Sequence, residues 1–222
     1  MTRDAVVIGA GGFGRETLDV IEAWNSSAGG DSYNVLGVID DAPSTTNIER
    51  LRRRGYCFLG GFEVLFELRL PFVYFVGIGT PSLRARIVAR CDEQAWPAGT
   101  VVHPSASIGS ETEFGEGTII CGGVQISTNV RLGRHVHLNP ASVVGHDTCI
   151  GDYSSVNPAA VVSGDVAVEE RVLIGAGAVV LQQLTVGAGS TVGANACVTK
   201  NTPRGSIVVG VPAKPRLRGL SS

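Results

Sequence analysis

From Val102 to Val198 every sixth residue is aliphatic or aromatic, seventeen positions without a gap, and this period constrains the fold more than any other feature of the chain. Four residues after most of these positions stands a small or β-branched residue, as at Ala106, Thr118, Val136, Ser154, Ala178 and Ala196. A fixed hexapeptide period describes one short flat strand plus a corner, and stacked coils bury the aliphatic and small positions in a continuous interior. Glycine or asparagine directly after the aliphatic residue, as at Gly109, Asn139, Gly145, Gly175 and Gly193, suits sharp corners. A β-sandwich would instead alternate with period two between irregular turns.

The first hundred residues have another rhythm. Asp4 to Ile8 reads as a strand, Phe13 to Trp24 as a helix, Ser26 to Ser32 as a loop and Val35 to Ile39 as a second strand. Phe62 to Leu68 reads as a short helix, Phe72 to Gly77 as a strongly apolar strand, and Pro81 to Gln94 as a helix bearing Arg84, Arg86 and Arg90. The order βαβαβα predicts a half-sized Rossmann-like α/β unit with a parallel sheet of about three strands. Two domains follow: residues 1–100, and residues 101–222 with a C-terminal tail.

The first strand runs into VVIGAGGFGRE, with glycines at Gly9, Gly11, Gly12 and Gly14. Glycines after a strand let a backbone approach closely, and the following helix offers free N–H groups and a positive dipole end to an anion. Asp40 and Asp41 end the second strand, where an acidic side chain accepts from ribose hydroxyls in a dinucleotide fold. NAD fits locally but fails on space, because a full dinucleotide site uses two such halves and only one precedes the hexapeptide run. A tight turn with no ligand is the other reading.

Eighteen basic against twenty acidic side chains give no call for nucleic acid or an anionic membrane. The five apolar residues of the first strand are too few for a signal peptide and no apolar run is long enough to span a bilayer, so a cytoplasmic protein is expected. Cys57, Cys91, Cys121, Cys149 and Cys197 are scattered, without a C-x-x-C pair, and read as reduced thiols. Of the four histidines, His103 sits at the domain junction, and His135 and His137 lie two apart with no third ligand nearby, a poor metal site. His146, two residues after Val144, falls at a corner and should project outward.

The hexapeptide run, closing in VVGVPAK at Val208 to Lys214, resembles the hexapeptide-repeat acyltransferases, whose repeats form a left-handed parallel β-helix. The small α/β unit ahead of it resembles one subfamily, the bacterial sugar acyltransferases of the PglD and NeuD type. That resemblance implies acetyl transfer from acetyl-CoA to the amine of a nucleotide-linked amino sugar, in a homotrimer, with no metal and no NAD. O-acetylation of a sialic acid or another sugar hydroxyl, or a scaffold without chemistry, are the alternatives.

The family's pattern carries over residue by residue. Nucleotide and diphosphate contacts fall on Gly11, Gly12, Phe13 and Gly14, on Asp40 and Asp41, and on the third turn at Gly77 to Thr80, chiefly Gly79 and Thr80. Many members carry asparagine where this chain has Thr80. LNPASVVGHDTCIGDYSSV, Leu138 to Val156, resembles the active-site segment: His146 is the implied general base, Asp147 the carboxylate that orients it, and Asn139 a sugar contact. Ser155 stands where many relatives have a second histidine near the acetyl group, and Gly164 matches a glycine whose N–H faces the thioester carbonyl. Coenzyme A is expected along Gly175, Ala176 and Gly193, with Lys214, Arg216 and Arg218 near its phosphates. Cys149 as a nucleophile is disfavoured, since the family transfers the acyl group directly.

Overall fold

The computed structural model describes residues 1–27 and 31–216. The N-terminal domain runs β1 (Thr2–Ile8), α1 (Gly12–Ser26), β2 (Ser32–Ile39), α2 (Thr45–Arg53), β3 (Phe58–Gly60), a 3-10 turn (Phe62–Phe66), β4 (Val73–Val76) and α3 (Pro81–Asp92). Its sheet is parallel in the order β3-β2-β1-β4. β1 is central, and Ala5 to Ile8 are buried on both faces, as an α/β sheet with helices on either side requires. The sheet has a fourth strand beyond those read from the sequence, and α2 was not anticipated: only Leu51 of its nine residues is buried, so TTNIERLRR carries no apolar stripe. Its start is marked instead by Ser44, whose Oγ accepts from Asn47 N at 3.2 Å. Part of the loop expected over Ser26 to Ser32 lies outside the described residues.

From Val101 the chain winds as a left-handed parallel β-helix of two-residue strands. From Val101 to Val198 each paired strand meets the one eighteen residues on, as Val143 with Val161 and Val144 with Val162, so one coil is three hexapeptides; the closing pair, Thr191 with Ile207, is offset by sixteen. Three flat faces result, the first containing His137–Leu138 and Ser155–Val156, the second Val143–Val144, the third Cys149–Ile150. The aliphatic positions are buried from Ile120 onward, but Ile108 and Phe114 are exposed because no coil stacks beneath the first. At the far end Ile207–Val209 adds to the first face and Lys214–Pro215 pairs back on it antiparallel.

The corners turn differently from the sequence expectation. The left-handed residue is the third after the aliphatic position, not the first: Glu111, Asn129, Ala141, Asp147 and Asp165 all have φ between 56° and 60°. Glycine directly after the aliphatic position answers a steric demand instead. A Cβ on Gly145 would meet Gly164 N at 2.5 Å in the next coil.

The N-terminal domain covers the first face of the β-helix. Phe13 of α1 stacks on His137 at 4.4 Å between centroids, and the rings of Tyr74, His135 and Tyr153 stack at 5.9 and 5.8 Å. His135 and His137 are thus consumed by the seam between domains, and both are buried. Burial, with Arg134 and Arg84 nearby, lowers the pKa of His135 to about 3 and holds His137 well below its usual value. His103 closes the first corner, its Nδ1 accepting from Ser105 N at 3.1 Å.

Candidate active site

His146 stands at the corner between the second and third faces, with its side chain 61% exposed. Its Nδ1 lies 2.7 Å from Asp147 Oδ2, and the other carboxylate oxygen accepts from Asn129 Nδ2 at 3.0 Å. These bonds, His146 first and Asn129 second, hold the Asp147 carboxyl below its ordinary range. A neutral imidazole that donates Nδ1–H to Asp147 leaves the Nε2 lone pair to accept a proton, the arrangement a general base needs. Asn129 escaped the sequence reading. The coil length would have found it, since it lies eighteen residues before Asp147 and therefore directly beneath it.

Gly164 lies one coil above His146. A Cβ there would come within 2.5 Å of Nε2, so glycine alone leaves the ring its place. With Asp165, Gln182 and Gln183 these residues line an open cleft of about 500 Å³. Cys149 is exposed on the third face in a neighbouring groove with Glu113, Asn129, Arg131 and Asp147.

A second cleft, of about 400 Å³, lies in the N-terminal domain between the glycine loop, the end of β2 and the turn after β4. The N-terminus of α1 that opens into it has no side-chain cap and no acid in its first turn, leaving its N–H groups for a ligand. Gly14 packs so closely on the Gly9 carbonyl that no side chain fits there. Asp40 and Asp41 line this cleft, and Asp40 also fixes the loop: Oδ2 accepts from Ala10 N at 2.8 Å and Oδ1 from Ala42 N at 2.9 Å, one bond on each oxygen. Asp41 Oδ1 accepts from Phe62 N at 2.7 Å, and its side chain remains 62% exposed. Gly79 lines the cleft, whereas Thr80 faces a separate groove with Arg171 and Arg204.

Arg84 was read only as one of three arginines on α3, and the structure buries it completely. Its Nη1 donates to Ile78 O at 2.7 Å and to His137 Nδ1 at 2.8 Å, and its Nη2 donates to Ser155 Oγ at 2.9 Å and Ser154 O at 3.2 Å. Burial lowers its pKa to about 9, which leaves it charged at neutral pH. Ser155, expected beside the acetyl group, is therefore 1% exposed in the seam between domains, held by Arg84 and turned away from His146.

Other expected contacts are distributed over a different edge. Asn139 is 7% exposed, with Nδ2 donating to Val156 O at 3.2 Å and to Asn157 Oδ1 at 3.3 Å, and serves as a rung within the corner between the first and second faces. Gly175, Ala176 and Gly193 belong to the same column of corners, one edge away from His146. Lys214 is exposed, paired with Val209, whose side chain covers Gly193. Arg216 donates its backbone N–H to Ile207 O at 2.7 Å, and Arg218 lies outside the described residues. Among the described residues of one chain, Gly164 is the only expected acetyl or coenzyme A residue placed against the base.

Comparison with known proteins bears out the resemblance read from the sequence. Residues 4–91 match the PglD N-terminal domain. A GDP-perosamine N-acetyltransferase of Escherichia coli O157:H7 is 34% identical over 147 residues, which span 64% of this chain and 61% of that enzyme. The acetyltransferase domain of PglB from Neisseria gonorrhoeae FA1090 superposes with a TM-score of 0.83 at 26% identity, over 96% of this chain and all of that one. A mutant of perosamine N-acetyltransferase from Caulobacter crescentus, in complex with CoA and GDP-perosamine, superposes with a TM-score of 0.83 at 27% identity, over 96% of each chain.

Proposed function

We propose that this chain, with its PglD-type N-terminal domain and a β-helix shaped like those of sugar acetyltransferases, transfers the acetyl group of acetyl-CoA to the amine of a nucleotide-linked amino sugar. The observation that carries the reading is the chain Asn129–Asp147–His146, exposed at one corner beneath Gly164, where a side chain would displace the ring. An ammonium has no lone pair, so the amine must lose a proton on its way to the thioester carbonyl. His146 Nε2 takes it, Asp147 stabilises the imidazolium that forms, and Gly164 N–H stands near as a donor to the developing oxyanion. Collapse of the tetrahedral intermediate expels the coenzyme A thiolate, which recovers the proton. No covalent enzyme intermediate is required.

The N-terminal cleft is assigned to the nucleoside diphosphate, on the uncapped start of α1 and the glycine turn at Gly77 to Gly79. Base and cleft occupy different parts of one chain, which favours a site completed by another copy. The second face supports this, since Val143, Val161 and Val179 point outward along it and Leu181 beside them is 37% exposed. A homotrimer closed about a threefold axis would give three such sites.

The test is acetyl transfer to GDP-perosamine and to UDP- and dTDP-linked amino sugars, read by thiol release and product mass. A hydroxylamine-labile product would mean O-acetylation, and absence of turnover with every acceptor would mean a scaffold. Light scattering reports the assembly. A tagged hybrid of His146→Asn with Gly12→Trp should regain some activity if loop and base of one site come from different subunits.

A further inference from the structure

Arg84 is a buried cation with no carboxylate partner among the described residues. Every group it touches is neutral: the carbonyls of Ile78, Gly79, Tyr153 and Ser154, the hydroxyl of Ser155 and the Nδ1 of His137. A fully buried charge is costly unless something compensates it, and neutral dipoles do so only in part. The adjoining cleft has no cation of its own: among the described residues its lining carries Asp40 and Asp41 and no basic side chain. Of the other arginines nearby, Arg90 is paired with Glu63 and Asp41, and Arg15, whose Nη1 donates to Ala10 O and Asn47 Oδ1, lies outside the cleft lining.

The geometry of the turn gives the guanidinium a second effect. In a planar trans peptide the C=O of one residue and the N–H of the next point in opposite directions. Arg84 draws the Ile78 and Gly79 carbonyls toward itself, at 2.7 and 3.5 Å, and so turns the N–H groups of Gly79 and Thr80 away from it. Gly79 lines the cleft, and Thr80, the residue before α3, makes no side-chain cap.

We infer that Arg84 is a positioning residue for the anionic part of the acceptor: without touching it, the guanidinium aligns the turn at Ile78 to Thr80 and supplies the buried positive charge that a diphosphate in the neighbouring cleft balances. The same side chain fastens that turn to Tyr153–Ser155, the next corner after His146 along the β-helix. This inference rests on the assignment of the cleft to a nucleoside diphosphate.

Calorimetric titration of GDP, UDP and dTDP, each beside its nucleoside, tests it on wild type, Arg84→Met and Arg84→Lys, with folding checked by circular dichroism and melting. Arg84→Met should weaken the preferred diphosphate about tenfold or more and its nucleoside less than about threefold, as loss of a charge-assisted contribution predicts. Arg84→Lys keeps the charge on a group that cannot fork to both sides, so the ratio of diphosphate to nucleoside affinity should fall by about threefold; it serves alone if the methionine variant does not fold. Equal losses for diphosphate and nucleoside would reduce Arg84 to a structural clasp and overturn the inference. Wild type that binds a diphosphate while both variants keep its full preference overturns the Arg84 assignment only. Wild type that binds no nucleoside diphosphate overturns the cleft assignment and this inference together.

Discussion

Asn129 donates to Asp147 from one coil below, at 3.0 Å, and the same carboxylate meets His146 through its other oxygen at 2.7 Å. The base is thus oriented by two rungs of the β-helix. His146→Asn should lower kcat by about two to four orders of magnitude, the usual loss for a general base. Asn129→Ala should lower kcat by a smaller factor, about three- to thirtyfold, because Asp147 stays but is less well aimed. KM for acetyl-CoA should be unchanged in both. A drop in Asn129→Ala as large as that in His146→Asn would mean that Asn129 does more than orient.

Gly164→Ala tests the room above the base. The added methyl group would displace an exposed imidazole and no buried side chain, so melting temperature should hold while kcat falls by about two orders of magnitude or more. Full activity would show that the His146 ring can work from another rotamer.

Cys149→Ala should leave kcat within about twofold of wild type, as direct transfer requires. An acetyl group trapped on Cys149 and found by mass spectrometry would refute direct transfer.

The seam between domains sets a pH limit. His135 and His137 are buried neutral, with folded pKa values below the unfolded value near 6.5. Below that value the unfolded chain binds protons that the folded one refuses. The stability they contribute is complete above about pH 6.5 and is lost as pH falls below it, for His135 until about pH 3, by up to about 1.4 kcal/mol per pH unit for each histidine. Urea unfolding between pH 7.5 and 4.5 measures the slope. His135→Phe, which keeps a ring between Tyr74 and Tyr153, should flatten it, and an unchanged slope would place the protons elsewhere.

The β-helix is legible because one six-residue rule is repeated with nothing to contradict it, and the same rule places His146 at an exposed corner. What escaped depends on groups distant in sequence. Nothing in PSLRARIVARCD distinguishes Arg84 from Arg86 or Arg90, since its burial is decided by a face of the β-helix more than fifty residues away. Asp40 was read from its place after a strand, but its hold on the glycine loop depends on the backbone N–H groups of Ala10 and Ala42. Ser155 was read by analogy with a histidine, and its true neighbour is Arg84. α2 was missed because a surface helix with one buried residue has almost no pattern to read.

Parallel pairing at a constant offset of eighteen residues makes the β-helix a graduated rule. Parallel strands are spaced by about 4.8 Å, so each corner marks one division, and Gln182 stands two divisions, about 10 Å, above His146. An insertion or deletion of one whole coil above Gly164 would move everything beyond it by one division while leaving every ladder, corner and buried position in phase. Length along this edge, and with it the reach between the base and whatever binds further along, can therefore change in discrete steps without refolding the molecule, whereas a shift of a single residue would turn the buried series outward.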